Sequence, residues 1–387
     1  MDHDNNKSHV SSLLLDLPIE ERLIVSCSNK SIELKEPGTS LLTESQLNSF
    51  DYDRFFELAQ KNGVIPLIYS HLRTDKVFPA EFIERLKFVY LQTAAINLHK
   101  SQELIKIIQV LNEGGIDVIP LKGPVAAENI FGGIGLYPFS DIDILVRTED
   151  LSKAEEVLAE KTGYVLFENI CSKILLADHY HYIYIKENLG LEVHWNLVKR
   201  YFRIPEEFWW EGTHEGDFQK ITILELEPEK YFLYLIFRLF DHQFQPLRFL
   251  LLTSEFLNRE NINWQRLFTY AEKYGMKRLV LFVLCFLNEL YGAKVPEPYL
   301  RKRILFYEFL SKLIVLGFLR ENQKAHMRML AYVTLLDSPQ AVMTVIFRRV
   351  FPSIGEIRLR YSIAQDETFK AILYYVMNPF LLVFRKR

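Results

Sequence analysis

The sequence predicts an α+β protein, in which a small mixed sheet with helices lies between two helical regions. Up to about residue 94, and again from about residue 226, apolar residues recur at the three- and four-residue spacing of amphipathic helices. Between them, short β-branched runs are separated by glycine-containing turns, which is the pattern of strands. We therefore divide the chain into an N-terminal helical region (1–94, with about 1–10 disordered), an α/β core (95–225) and a C-terminal helical domain (226–387).

The core is predicted to open with a long helix from about Pro79 to Glu113, with a break or bend inside it. Gly114-Gly115 ends this helix, as glycine commonly does. A strand over Ile116–Leu121 follows, and Gly123-Pro124 then starts a short helix that reaches about Phe131.

A second group of elements completes the predicted core. Asp141–Val146 is a strand, and Leu151–Lys161 is a helix closed by Gly163. His181–Lys186 and Leu191–Leu197 form a hairpin joined by an Asn188–Gly190 turn. The C-terminal helices are predicted over Tyr231–Phe240, Trp264–Tyr274, Lys277–Tyr291 and Ile304–Phe318.

Composition limits the classes of protein to consider. A net charge of -3 argues against a dedicated nucleic-acid binder, which is usually strongly basic. The three cysteines, Cys27, Cys171 and Cys285, are far apart, which argues against a thiolate zinc site and a disulfide framework and favours a reducing, cytoplasmic compartment. The polar N-terminus does not have the layout of a signal peptide, and no apolar run reaches the roughly 20 residues of a membrane span.

The strongest chemical signal is the run Ser140–Val146. Alternate residues of a strand share a face, so Asp141 and Asp143 project together, with their backbones about 6–7 Å apart. Two neighbouring carboxylates repel each other, and a divalent cation relieves that repulsion. Mg²⁺ takes oxygen ligands and commonly binds one or two carboxylates together with substrate phosphates. This run therefore predicts a metal-triphosphate site.

Residues upstream and downstream extend the predicted site. Lys122-Gly123 ends a strand and opens a helix, a place where backbone and lysine approach phosphate. Glu192 and His194 share one strand face, and Glu192 completes a cluster of three carboxylates if its strand lies beside the aspartate strand. Such a cluster suits two metal ions about 4 Å apart. Ser140 and His194 join Lys122 and Gly123 as predicted nucleotide contacts.

Each motif also has an ordinary structural interpretation. An isolated pair of aspartates commonly lies on a solvated face, the Lys122-Gly123 pair is also found in simple turns, and Glu192 suits a half-exposed strand. His179 and His181 either line the cleft, face solvent or bind a metal. Lys199-Arg200 with Arg203 forms a basic cluster suited to a polyanionic acceptor or to a solvated surface.

Taken together, the Leu121-Lys122-Gly123 turn, the strand Ser140–Val146 and the strand end Glu192–Trp195 resemble the nucleotidyltransferase superfamily related to DNA polymerase beta. More closely, the chain resembles the family described as uncharacterised nucleotidyltransferases. Ile262–Trp264 and Phe351–Ser353 also look like landmarks of that family, so the resemblance extends from about Phe50 to the C-terminal end.

This resemblance implies a polymerase-beta-like core, Mg²⁺, and a nucleoside triphosphate donor, with ATP as the default. By matching positions, Asp141 and Asp143 bind metal, Glu192 assists or activates the acceptor, and Lys122 and Gly123 lie near the triphosphate. The acceptor is a hydroxyl or phosphate on a protein, a sugar, a small metabolite or an RNA end. A rival hypothesis is a degenerate member that binds nucleotide or a partner protein without chemistry.

Two departures from the family pattern favour the rival hypothesis. Pro124 follows Gly123 where the superfamily has a small residue, and proline offers no N–H to phosphate. Tyr137 stands where members often carry an arginine.

The C-terminal end combines basic and aromatic residues. Arg358, Arg360 and Arg385–Arg387 are interleaved with aromatic residues such as Tyr374 and Phe380. This composition predicts either core packing with a positive rim or a peripheral contact with RNA or a membrane surface.

Overall fold

The computed structural model describes residues 12–14, 17–28, 49–167, 180–199, 202–301, 306–319, 333–361, 363–364 and 366–384. The predictions for residues 1–10, Cys171, His179, Arg200 and Arg385–Arg387 lie outside these residues.

Four helices form the N-terminal part of the described chain. They are α1 (Ile19–Ser28), α2 (Tyr52–Lys61), α3 (Ile65–Leu72) and α4 (Ala80–Glu113). The predicted break in α4 is wrong. The 34 residues of this helix contain neither proline nor glycine, so nothing interrupts its ladder of hydrogen bonds.

The central sheet is mixed, as predicted. Its strands are β1 (Ile119–Pro120), β2 (Ile142–Leu145), β3 (Val165–Leu166), β4 (His181–Lys186) and β5 (Leu189–His194). The strand order is β1-β2-β5-β4-β3, in which β2 and β5 are parallel and the other pairs antiparallel. Helix α5 (Leu151–Thr162) ends at Gly163, whose φ of 81° is the left-handed conformation expected of a glycine cap.

Several predicted strand boundaries are wrong, and the strand predicted over Leu191–Leu197 is observed at Leu189–His194. Strand β1 is shorter than expected because the Ile116 N–H is bonded to the Leu111 carbonyl at the end of α4, and because Pro120 has no N–H to extend the ladder. The β4–β5 turn lies at Glu187-Asn188 rather than Asn188–Gly190, so Gly190 is inside strand β5.

A second sheet, which the sequence did not predict, lies after the central one in the chain. Helix α6 (Glu206–Trp210) leads into an antiparallel hairpin of β6 (His214–Phe218) and β7 (Ile221–Glu225). Gln219 and Lys220 form its turn, with φ of 46° and 72°. Two positive φ values suit a tight hairpin, but this turn does not contain the Asn-Gly pair that usually reveals one in a sequence.

The C-terminal part is helical, as predicted. Its helices are α7 (Pro228–Asp241), α8 (Leu247–Arg259), α9 (Trp264–Lys273), α10 (Lys277–Tyr291), α11 (Glu297–Leu300), α12 (Tyr307–Leu319), α13 (Pro339–Val350), α14 (Ile354–Tyr361) and α15 (Thr368–Phe384). Among the described residues, no helix combines the length and the apolar character required to cross a membrane.

Two apolar clusters sandwich the central sheet. Ile142, Ile144 and Val193 lie in a cluster with the C-terminal half of α4 and with α5. Leu145 belongs to a larger cluster that also contains residues of the N-terminal and the C-terminal helical regions. Because side chains alternate along a strand, Asp143 shares the face of Leu145. The predicted acids therefore face the helical body rather than open solvent.

Candidate active site

The turn at Gly123 places a backbone corner beside the aspartate strand. The Leu121 N–H donates to the Asp143 carbonyl (3.0 Å), which fixes the end of β1 against β2. Gly123 has a φ of 66°, and a Cβ there would lie 3.3 Å from the Phe139 ring. Only glycine takes this conformation readily, and the close ring leaves little room for a side chain. Pro124 begins the helical turn that follows.

The two aspartates, Asp141 directly before β2 and Asp143 within it, have different surroundings. Asp143 is 2% exposed, whereas Asp141 is half-buried and accepts a hydrogen bond from the Ser140 hydroxyl (2.5 Å). The Asp141 carboxylate lies across Gly190 of β5, since a Cβ at Gly190 would be 2.7 Å from Asp141 Oδ1. The missing side chain of Gly190 therefore leaves the space that the Asp141 carboxylate occupies.

The parallel pairing of β2 with β5 brings Glu192 to the aspartates. Asp143 pairs with Glu192 and Leu145 pairs with His194. Neighbouring residues of paired strands point to the same face, so Glu192 and Asp143 are on one side of the sheet. The predicted carboxylate cluster required the aspartate strand and the Glu192 strand to be adjacent, and β2 and β5 are adjacent.

His194 joins the two buried acids. Its Nε2 lies 3.2 Å from Asp143 Oδ1 and 3.3 Å from Glu192 Oε2, and the side chain is 1% exposed. Among the described residues, the buried Nδ1 of His194 has no hydrogen-bond partner. A histidine held at one nitrogen and unpaired at the other is suited to orient carboxylates or to bind a metal.

Cations surround Asp143. Lys122 Nζ lies 3.0 Å from Asp143 Oδ1, and the α7 side chain Arg238 contributes a further positive charge. Burial acts to raise the pKa of Asp143. The charge of Lys122 and the hydrogen bond from His194 outweigh burial and hold that pKa well below its ordinary value. The hydrogen bond from His194 likewise lowers the pKa of Glu192 against the effect of burial.

Arg238 was not among the predicted site residues. It is the one charged residue between Tyr231 and Phe240, an otherwise apolar and aromatic stretch of α7. Its buried Nε has no partner among the described residues. A lone arginine in such a stretch was the available signal, because an unpaired charge is costly in a core.

A small pocket open to solvent adjoins this arginine. Its walls are Tyr180, Leu197, Val198, Lys199, Phe202, Phe237, Arg238 and Asp241. Lys199, from the predicted basic cluster, pairs with Asp241 (2.7 Å), and Tyr180 stacks on His194 with ring centroids 5.8 Å apart. Arg203 is exposed and does not line the pocket. The pocket therefore joins aromatic walls to the edge of the acid cluster.

Long helix α4 supports the loop before β2. Lys100 is buried and donates from Nζ to the carbonyls of Phe139 (2.8 Å) and Ser140 (2.6 Å). Asn97 donates to the carbonyls of Ile134 and Tyr137. These supports were not predicted, because α4 and the loop are about 40 residues apart in sequence.

Tyr137, which stands where family members often carry an arginine, is a core residue. It is 1% exposed and stacks on Phe131, with ring centroids 4.9 Å apart and planes 9° apart. Burial raises the pKa of Tyr137 to about 12. The cations that face the cluster come from Lys122 and Arg238 rather than from this position.

One group of side chains has the proximity required for a single ion. The ligand atoms of His181, Glu192 and His194 lie within 4.8 Å of one another. His181 pairs with His194 across β4 and β5, which accounts for the approach. Within the described chain this group does not include Asp141 or Asp143. The metal roles of Asp141, Asp143 and Glu192, and the nucleotide contacts of Lys122, Gly123, Ser140 and His194, stay predictions.

A small mixed sheet with an acid-bearing parallel pair, set between helical regions, is the architecture of the nucleotidyltransferase class. Residues 48–292, more than half of the chain, match the model of a family described as uncharacterised nucleotidyltransferase. The chain belongs to this family, as its motifs predicted. No curated protein and no solved structure matches it.

Proposed function

We propose that the protein transfers a nucleotidyl group from a nucleoside triphosphate, ATP by default, to an acceptor, and that it does so with Mg²⁺ in the cytoplasm. The observation that carries the proposal is the parallel register that sets Asp143 beside Glu192. This pair faces the helical body and lies next to the Gly123 corner. A carboxylate cluster beside a backbone corner is suited to hold a metal-bound triphosphate.

The donor set fits the proposed metal. Asp141, Asp143 and Glu192 offer hard oxygen ligands, which Mg²⁺ prefers, and would hold it. When bound, the metal neutralises charge on the phosphates and polarises the reacting phosphorus. The unpaired Nδ1 of His194 and the nearby His181 add nitrogen donors, so Mn²⁺ is expected to support the reaction as well.

The protein's own residues then have distinct roles. Lys122 and Arg238 place positive charge where the triphosphate is proposed to lie. Glu192 accepts the proton of the acceptor hydroxyl, and His194 holds Glu192 and Asp143 at their present spacing. The acceptor oxygen bonds to the α-phosphorus. The bond between the α-phosphorus and the oxygen that bridges it to the β-phosphate breaks, and pyrophosphate leaves. Rate enhancement comes from positioning and charge neutralisation.

The rival function is nucleotide or partner binding without chemistry. Two observations favour it. Lys122 pairs directly with Asp143, a predicted metal ligand, and Pro124 removes an N–H from the corner where phosphate would bind.

Position-labelled triphosphates separate these functions. The full-length protein is incubated with a cell extract, Mg²⁺ and ATP that carries its label at either the α- or the γ-phosphate. We expect only the α-label to enter an acceptor fraction, because the nucleotidyl group moves and pyrophosphate leaves. Repeating the assay with the other nucleoside triphosphates identifies the donor base, and the labelled fraction identifies the acceptor.

Asp143→Asn is the decisive variant. Loss of a metal-ligating carboxylate is expected to lower labelling by at least about 100-fold. Asp217→Asn, at an exposed carboxylate on β6, is the matched control and should retain wild-type labelling. Transfer of the γ-label, or full labelling by Asp143→Asn, would contradict the proposal. Nucleotide binding that ignores both metal and this substitution would support the rival function.

A further inference from the structure

The last helix, α15, presents its apolar side outward. Six apolar residues on it are each more than 40% exposed, and their spacing of three and four residues forms one stripe along the helix. They are Phe369 (81%), Ile372 (48%), Leu373 (45%), Val376 (59%), Met377 (41%) and Phe380 (65%). Isolated exposed apolar residues are ordinary, whereas a continuous stripe marks an interaction surface.

The orientation of α15 is fixed by polar contacts on its inner side. Asn378 is fully buried, donates to the Val350 carbonyl (2.8 Å), and accepts from Arg360 and from the Tyr361 hydroxyl (3.0 Å each). Tyr374 packs on Tyr361, with ring centroids 4.6 Å apart. Turning the stripe inward would break these bonds and expose Asn378. The outward stripe is therefore a property of this packing.

The neighbouring helices also expose apolar side chains. Met343 and Phe347 of α13 are 64% and 57% exposed, and Ile354 of α14 is 45% exposed. Both helices pack against α15. The predicted packing of this end as a core with a positive rim is therefore wrong for Phe380, because the inner positions of α15 are taken by alanine, tyrosine and asparagine.

Charge identifies the kind of surface that covers the stripe. Residues 339–387 contain eight Lys or Arg and three Asp or Glu, hence a charge of +5, whereas the whole chain carries -3. Three of the basic residues, Arg385–Arg387, directly follow the helix in sequence. A symmetric contact between this end of two copies would bring the same positive charge against itself, which opposes association. An RNA would find two rings to stack on, Phe369 and Phe380, but no hydrogen-bonding group among the six side chains of the stripe.

We propose that α15 docks on an anionic lipid surface, lying in the plane of the membrane with its stripe among the lipid chains. Amphipathic helices with a basic flank bind membranes in this manner. The inference stands apart from the proposed transferase function, since it uses none of the residues of the carboxylate cluster.

Vesicle flotation with the full-length protein tests this proposal. The probes are vesicles of phosphatidylcholine alone and vesicles of phosphatidylcholine with phosphatidylserine. We expect the wild type to float with the mixed vesicles and to stay in solution with phosphatidylcholine alone. Rising salt should weaken the binding, because screening reduces the electrostatic part. Absence of flotation with the mixed vesicles would overturn the proposal.

The double substitution Val376→Gln with Phe380→Gln tests the stripe. Both side chains are exposed, so folding should be retained, as circular dichroism and the melting temperature will show. Flotation is expected to fall at least about tenfold, following the area dependence of apolar burial. Phe88→Gln with Leu91→Gln, at exposed positions of α4 with 62% and 54% exposure, is the matched control and should float like the wild type.

A basic-residue variant and a size measurement complete the test. Replacing Arg385, Lys386 and Arg387 by Gln should weaken binding to mixed vesicles by about fivefold per residue. Equal binding by the stripe variant and the wild type would refute the proposal. So would a dimer, seen by light scattering, that the stripe variant converts to a monomer, because the stripe would then be a contact between two copies.

Discussion

At the scale of single residues, Gly190 controls where the carboxylate of Asp141 can lie. Gly190→Ala would place a methyl group 2.7 Å from Asp141 Oδ1, so the carboxylate must move. We expect metal-dependent nucleotide affinity, measured by titration calorimetry, to fall by about tenfold, as for the loss of a residue that orients a metal ligand.

A double-mutant cycle with Asp141→Ala isolates this contact. In that background the methyl group meets no carboxylate, so Gly190→Ala should have little further effect on affinity. Equal losses in both backgrounds would mean that the methyl group distorts β5 itself rather than displacing Asp141.

Lys100 is a second residue whose role is local and measurable. Lys100→Met leaves the carbonyls of Phe139 and Ser140 without this donor. The free energy of unfolding, measured by urea denaturation, is expected to fall by about 1–3 kcal/mol. Lys106→Met, at an exposed position of the same helix, should change it by less than about 0.5 kcal/mol. A similar change for both variants would argue against a supporting role for Lys100.

At the scale of elements, the β6–β7 hairpin carries a pH-dependent contribution to stability. Burial raises the pKa of Glu225, and the nearby His214 opposes this only in part. A pKa that is raised in the folded state gives stability that is present below the unfolded value and is lost as pH rises through the folded value. The ordinary value is 4.5, so the loss begins there and continues toward neutral pH.

Glu225→Gln tests this dependence because it removes the charge. At pH 7 we expect the variant to unfold at a higher urea concentration than the wild type, and we expect the gap to close below about pH 4.5. Glu215→Gln, at an exposed position of the same hairpin, should follow the wild type at every pH. A gap that stays constant with pH would exclude titration of Glu225 as its cause.

At the scale of the whole molecule, the terminal helical regions form one body over the sheet. Asn62 accepts the Leu247 N–H at its side chain (3.1 Å) and the Arg248 N–H at its carbonyl (3.3 Å), which joins α2's end to α8. The Arg248 guanidinium lies against Gly63, where a Cβ would be 2.8 Å away. These contacts link segments about 185 residues apart.

A fragment of residues 95–225 alone is therefore expected to be incompletely folded. Removing the helical regions uncovers Ile119, Leu121 and Leu145, which belong to the larger apolar cluster. We expect the fragment to give a broad, non-cooperative thermal transition by circular dichroism, whereas the full chain unfolds cooperatively. A sharp transition of the fragment would show that the segment bounded near residues 94 and 225 is an independent domain.

The sequence by itself determined the class of the protein and the identity of its principal elements. Helical periodicity, alternation in the strands and the glycine at the end of α5 depend on residues close together in sequence. They can therefore be predicted from the sequence alone. The alternation of Asp141 and Asp143 predicted their common face for the same reason, and the family motifs identified the transferase class.

Only the tertiary structure decided which distant residues meet. The register of β2 with β5, the place of Gly190 under Asp141, and the approach of Arg238 and Lys100 depend on packing between segments far apart in sequence. The outward stripe of α15 has the same origin. The spacing of its apolar residues places them on one face of the helix but does not specify whether that face points to the core or to solvent. Local propensity specifies elements, and the burial of apolar area between them specifies their arrangement.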